Sequence, residues 1–230
     1  PSVHSEKIRK AINYGFDRVK MIKYLRNGIG TPAVNGFIPK GLPSFNNMKG
    51  YTYQPELAKK LVQEYIKESG NTNPTVTIST NSQYVDLCEY IQREVQKTGL
   101  QVTVDVMPPS TLRQTKVQGK LSIFRGSWVA DYPDAENYLF IFHSKNFSPN
   151  GPNYVHYSSK EFDDLYETST KITDNKTRRA LYQKMDSMVM ASGAIIPLYY
   201  DEVVRFTQKN VTGLGINPIN FLSLKRVKKN

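Results

Sequence analysis

Apolar residues recur at helical spacing in some stretches and at alternate positions in others, and the switching between these periods predicts an α/β chain. Over residues 5–26, Ile8, Ala11, Ile12, Phe16, Val19, Ile22 and Leu25 share one face of a single predicted helix. Ser5 stands at the N-cap, Glu6 complements the helix dipole, and Gly28 follows as a stop. A loop rich in proline and glycine fills residues 30–53, and loops of that length are commonly functional or wrap a neighbouring surface. Pro55 opens the next helix, whose stripe is Leu57, Ala58, Leu61, Val62, Tyr65 and Ile66, and Gly70 ends it.

From residue 75 the period becomes two, and residues 75–80 alternate as a strand. Asn81 or Ser82 caps a predicted helix through Lys97, with Leu87, Cys88, Ile91 and Val95 facing inward. Leu100, Val102, Val104 and Val106 alternate again, Ser110 caps a short helix to Gln118, and residues 121–125 form a third strand. Strand, helix, strand, helix, strand at this spacing predicts parallel pairing with right-handed crossovers. Farther on, Ser159 and Asp174 cap two helices. The stripe Leu181, Met185, Met188, Val189 in the second is core packing rather than a metal site. Residues 194–200, 203–206 and 221–227 alternate as further strands.

Length and composition narrow the class. The 230 residues suit one large domain or two small ones, and 39% hydrophobic content suits a folded chain. The net charge of +11 is spread along the chain and is dense only in Lys225-Arg-Val-Lys-Lys229; with no recognition motif, nucleic acid is not expected as a partner. The single cysteine, Cys88, rules out an internal disulfide and lies on an apolar stripe, as a buried thiol does. No run reaches the ~18 apolar residues of a membrane span. The chain opens on Pro1-Ser-Val-His without an initiator Met or a signal peptide, as expected of a processed or excised piece. His4, His143 and His156 are scattered, so neither a metal nor a cofactor is expected. Three sequons, at Asn146, Asn175 and Asn210, would matter only in a eukaryotic secretory route.

The richest chemistry lies in residues 124–137, which carry the only tryptophan, Trp128, and the acids Asp131, Asp134 and Glu136. They follow the third predicted strand, and ligands of parallel sheets bind beyond the carboxyl ends of strands. Each residue also has a plain structural reading. Asp131 can cap a turn before Pro133, Trp128 can be core, Arg125 can pair with a local carboxylate, and Asp134 and Glu136 can cap the following helix. An acid/base pair of Asp131 with Asp134 or Glu136 is the enzymatic alternative.

Several stretches together resemble a known family: Ile8-Arg-Lys-Ala-Ile-Asn-Tyr-Gly-Phe-Asp-Arg18, Gly50-Tyr-Thr-Tyr-Gln-Pro-Glu-Leu-Ala-Lys59, Ser127-Trp-Val-Ala-Asp-Tyr-Pro-Asp134, and the stretches 154–162 and 178–200. In this order they resemble the extracytoplasmic solute-binding proteins of peptide ABC importers, the oligopeptide- and dipeptide-binding family 5. The resemblance implies a lobe of the class II periplasmic-binding-protein type, with a mixed, largely parallel sheet flanked by helices. It also implies that residues 1–202 are the second lobe, that 203–230 are closing strands returning to the first, and that the N-terminal lobe is absent. A peptide held between the lobes and delivered to the permease subunits is the implied function, with no enzymatic activity. The implied location is periplasmic or extracytoplasmic, with the anchor, such as a lipoprotein cysteine, upstream. Asp131 matches the aspartate that receives the peptide's α-ammonium, and Trp128 packs on the peptide or lines a side-chain pocket. Arg125 matches a cationic position near the peptide carboxylate, and Asn153 and Tyr154 are expected on the cleft wall. An oligosaccharide, haem or nickel chelate is the alternative ligand within the same fold, and a carboxylate-dependent hydrolase the alternative outside it.

Overall fold

The computed structural model describes residues 1–217 and 221–230. Where one helix is predicted over 5–26 there are two, α1 (Glu6–Tyr14) and α2 (Arg18–Leu25). The break has a steric cause. A Cβ on Gly15 would lie 2.9 Å from the Ala11 carbonyl and 3.2 Å from Val95, so the chain needs glycine to pass here. Asp17 then starts α2 by accepting from the backbone N–H groups of Val19 and Lys20, at 2.9 and 3.1 Å.

The long loop contains β1 (Thr31–Pro32) and leads to α3 (Pro55–Ser69). The parallel unit follows as predicted: β2 (Thr75–Thr80), α4 (Val85–Gln96), β3 (Gln101–Val106), α5 (Pro109–Val117) and β4 (Ile123–Phe124). A 3-10 turn at Ser82–Tyr84 precedes α4, so that helix starts later than the cap at Asn81 suggests. Helix α5 starts at Pro109, one residue before the predicted cap Ser110. The strand order is β3-β2-β4 with both pairings parallel. Val76 faces Val102, and Ile78 sits between Val104 and Ile123.

This register puts Val76, Ile78 and Val102 in one buried cluster with Ile8, Ala11 and Ile12 of α1, Ala58 and Val62 of α3, and Leu87, Cys88, Ile91 and Val95 of α4. Each fully buried Val, Leu, Ile, Phe or Met stabilises the fold by about 1.5–3 kcal/mol before entropy is counted. A second cluster gathers Ile38, Leu42, Leu139, Phe142, Phe162, Met185 and Val189. It forms between the short α6 (Glu136–Leu139), α7 (Lys160–Ser169) and α8 (Asn175–Ser192). The predicted caps are in place: Ser159 accepts from Phe162 N and Asp174 from Thr177 N. Gly193 closes α8 at φ +64°, where a side chain would be strained.

Of the run 194–200 only β5 (Tyr199–Tyr200) is strand, paired antiparallel with β1. The antiparallel ladders thus lie outside the three-stranded sheet, which is wholly parallel. Residues 203–206 and 221–227 are not strands; the last ladder pairs β6 (Val211–Thr212) with β7 (Lys228–Lys229). Alternation marks a chain fit for a sheet but supplies no partner, and none of the described residues pairs with either run.

Candidate functional site

The loop 125–135 leaves the first core at Ile123 and enters the second at Ala135. Arg125 N donates to Ser79 O at 2.9 Å, extending the β2–β4 pairing by one residue. The pleat therefore sends Phe124 and Arg125 to opposite faces. On one face, the Lys116 ammonium stands 5.8 Å from the Phe124 ring and 4.1 Å from the Tyr154 ring. Burial, and then the neighbouring Arg113, lower the Lys116 pKa. On the other face, the Arg125 guanidinium stacks 3.4 Å from the centre of the Tyr84 ring, and its Nη2 donates to the Tyr199 hydroxyl at 3.3 Å. Its Nε is buried with no acceptor among the described residues.

Farther along, one buried side chain organises the loop. Asn137 is 3% exposed, and its Oδ1 accepts from Trp128 Nε1 at 3.0 Å and from the Asp131 backbone N–H at 3.3 Å. Trp128 is half-buried with its ring 5.8 Å from that of Phe140. The three acids part company here. Asp134 accepts from Glu136 N at 2.9 Å and pairs with Arg178 at 3.1 Å. Glu136 accepts from the hydroxyls of Tyr132 and Tyr166; burial and this carboxylate raise the Tyr166 pKa. The Asp131 carboxylate is exposed and has no partner among the described residues. A carboxylate so placed is an acceptor in waiting, on a loop whose backbone is fixed from beneath.

Asn153 is set within the protein rather than on its surface. It is fully buried; its amide donates to the His143 and Tyr157 carbonyls at 3.2 and 2.9 Å, and its Oδ1 accepts from Tyr157 N at 3.1 Å. It fastens the 143–157 loop to itself, because a buried amide must satisfy its polar groups internally. Tyr154 is half-exposed but sits on the Phe124 face, away from Arg125. Asn137, Tyr84, Tyr199 and Arg26 are the parts that sequence reasoning missed. Arg26 donates from Nη1 to the Tyr199 hydroxyl at 2.9 Å, stacks 3.9 Å from that ring's centre, and pairs with Asp201 at 2.6 Å. Only the strand-like run 194–200, which contains Tyr199, pointed in this direction. Among the described residues no group of three or more His, Cys, Asp or Glu side chains is placed to hold a metal.

The family model for bacterial extracellular solute-binding proteins, family 5 Middle, matches residues 1–150. The chain belongs to this family. The glutathione-binding protein GsiB of Escherichia coli (strain K12) is 26% identical over 219 residues, 92% of this chain and 42% of that protein; GsiB of Shigella dysenteriae is equally similar. The chain thus spans about two-fifths of the length of these curated relatives. Among solved structures, the periplasmic binding protein DppA from Helicobacter pylori in complex with the peptide STSA superposes with a TM-score of 0.78 at 27% identity, covering 86% of this chain and 39% of that one. A clavulanic acid biosynthesis oligopeptide binding protein reaches a TM-score of 0.85 at 18% identity, a likeness of fold alone. The α/β architecture of a periplasmic binding protein is thereby established for this family member.

Proposed function

We propose that this chain forms one wall of the ligand cleft in the substrate-binding component of a peptide ABC importer, and that Asp131 receives the α-ammonium of the bound peptide. The observation that carries it is the division among the three acids. Asp134 and Glu136 are occupied by Arg178 and by two tyrosine hydroxyls, while Asp131 is exposed and unpartnered on an anchored backbone. An ammonium entering a closed cleft requires such a partner, since an unpaired buried charge is costly. The same division speaks against an acid/base pair of Asp131 with either neighbour, and so for binding rather than hydrolysis. The relatives bear names of glutathione and peptide binding, and both ligand types carry a free α-ammonium and a carboxylate.

In this reading Trp128 lines the same cleft, Arg125 lies toward the peptide's carboxylate end, and Tyr154 borders the opposite face of the sheet edge. Residues 203–230 pass to a further lobe of the same protein. Phe206 is 93% exposed and Ile216 95% exposed, with Val203, Val204, Phe221, Leu222 and Leu224 also open, and so many large apolar side chains left open in one segment suit a stretch that a partner covers. The complete protein works outside the cytoplasm, held at the membrane by a segment of its own, and hands its ligand to the permease. No helix among the described residues is long and apolar enough to cross a membrane.

Calorimetric titration of the full-length protein with di- to pentapeptides, glutathione, a maltooligosaccharide and haem tests the class. Saturable binding of peptide or glutathione only is the expected result. Binding of the sugar or haem with no response to any peptide would overturn it.

A further inference from the structure

Tyr199 joins two arginines. Its hydroxyl oxygen accepts from Arg26 Nη1 at 2.9 Å and from Arg125 Nη2 at 3.3 Å. A phenol has one proton besides its acceptor sites, and that proton has no acceptor among the described residues. The two cations differ. Arg26 is balanced by Asp201 at 2.6 Å, and its plane covers the Tyr199 ring with its centre 3.9 Å away. Among the described residues, no carboxylate pairs with Arg125. Its guanidinium is instead fixed by the Tyr84 ring 3.4 Å away. An uncompensated cation therefore stands beside a hydroxyl that still has a proton to give. Both belong to half-exposed residues at the carboxyl end of the sheet. Donors that already accept hydrogen bonds are polarised and donate more strongly.

We propose that Tyr199 is a specificity-determining residue of the ligand site: its hydroxyl donates to a ligand carboxylate beside Arg125, and Arg26 with Asp201 positions it. This rests on the peptide reading above, which already sets Arg125 toward the carboxylate end, and goes beyond it by naming the hydroxyl that selects the ligand there. A cation alone attracts any anion. A guanidinium edge with a fixed hydroxyl beside it selects a planar carboxylate over an amide, because the amide's N–H would meet donors only. Tyr199 and Arg26 arrive from β5 and from the end of α2, so the selecting group is held by regular structure rather than by the loop.

The test is made on the full-length protein with the best-bound member of the di- to penta-alanine series and its C-terminal amide. Both keep the α-ammonium, so the ratio of their Kd values isolates the carboxylate end. In Tyr199→Phe the acid should bind about tenfold more weakly, the scale of one hydrogen bond to a charged group, while the amide's Kd stays fixed. Arg26→Lys keeps the charge and loses the fork, and it should raise the acid-to-amide Kd ratio by a smaller factor. An unchanged acid-to-amide ratio in Tyr199→Phe overturns the inference while the peptide reading stands. If Tyr199→Phe does not fold, an unchanged ratio in Arg26→Lys overturns it. If neither an alanine peptide nor glutathione binds the unaltered protein, both readings fall together.

Discussion

Replacing Asp186 by asparagine should stabilise this chain at neutral pH and leave it unchanged or weaker in acid. Asp186 lies on α8 with its side chain wholly buried. Its Oδ1 accepts from Phe37 N at 2.8 Å, and its Oδ2 has no partner among the described residues. Gly36 sits against it so closely that a Cβ there would be 2.9 Å from the Asp186 Cγ. Tyr200 faces the same spot and donates to Gly36 O at 2.8 Å; burial pushes its pKa up to about 12. Burial likewise pushes the Asp186 carboxyl up from 3.8 to about 6, against the pull of the Phe37 and Ile38 amides. The folded chain therefore holds this proton more tightly than the unfolded chain does. That contribution is full below about pH 4, fades as pH rises through about 6, and is gone above it. The gap between the two values corresponds to about 3 kcal/mol. Asparagine keeps the acceptor for Phe37 and removes the charge, but it leaves amide N–H groups buried at a cost of about 1–2 kcal/mol. A net gain of about 1–2 kcal/mol at pH 7.5 is expected, read as a higher urea midpoint than the unaltered chain, with the gain absent or reversed at pH 4.5. The same variant-minus-parent difference at both pH values would refute the reasoning.

Two further outcomes follow from single contacts. Asn137→Ala removes the acceptor shared by Trp128 and the Asp131 backbone. It should cost about 1–3 kcal/mol and shift the emission of the only tryptophan to the red, whereas unchanged emission and stability would deny Asn137 its organising role. The Cys88 thiol is 2% exposed, and burial raises its pKa. It should resist Ellman's reagent in the folded chain and react with one equivalent in urea; rapid reaction without denaturant would contradict its burial.

Periodicity placed the parallel unit because one face of its sheet is buried and the other open within a continuous run of sequence. Val76, Ile78 and Val102 alternate for the same reason that Leu87, Cys88, Ile91 and Val95 recur. Caps were legible where the acceptor is local, as at Ser159 and Asp174. The break at Gly15 was not, because it depends on Val95, eighty residues away. Residues 203–206 alternate with no strand beside them among the described residues, and alternation without a partner does not make a strand. In the site, the resemblance singled out Asp131, but nothing local distinguished Asn137 from a surface asparagine or Asn153 from a cleft residue. Both are defined by their hydrogen bonds. The meeting of Arg26, Arg125 and Tyr199 spans 173 residues of chain and could be seen only once the fold was in hand.

The most direct test of Asp131 as the ammonium partner is calorimetry on the full-length protein with one peptide in free and N-acetylated form, repeated in Asp131→Asn. Losing one member of a buried charge pair costs about 2 kcal/mol or more, so acetylation should weaken binding by at least about 30-fold. Asp131→Asn should weaken the free peptide by a similar factor and erase most of the difference between the two forms. Equal affinity for the free and acetylated peptides in the unaltered protein, or an unchanged Kd in Asp131→Asn, would contradict it.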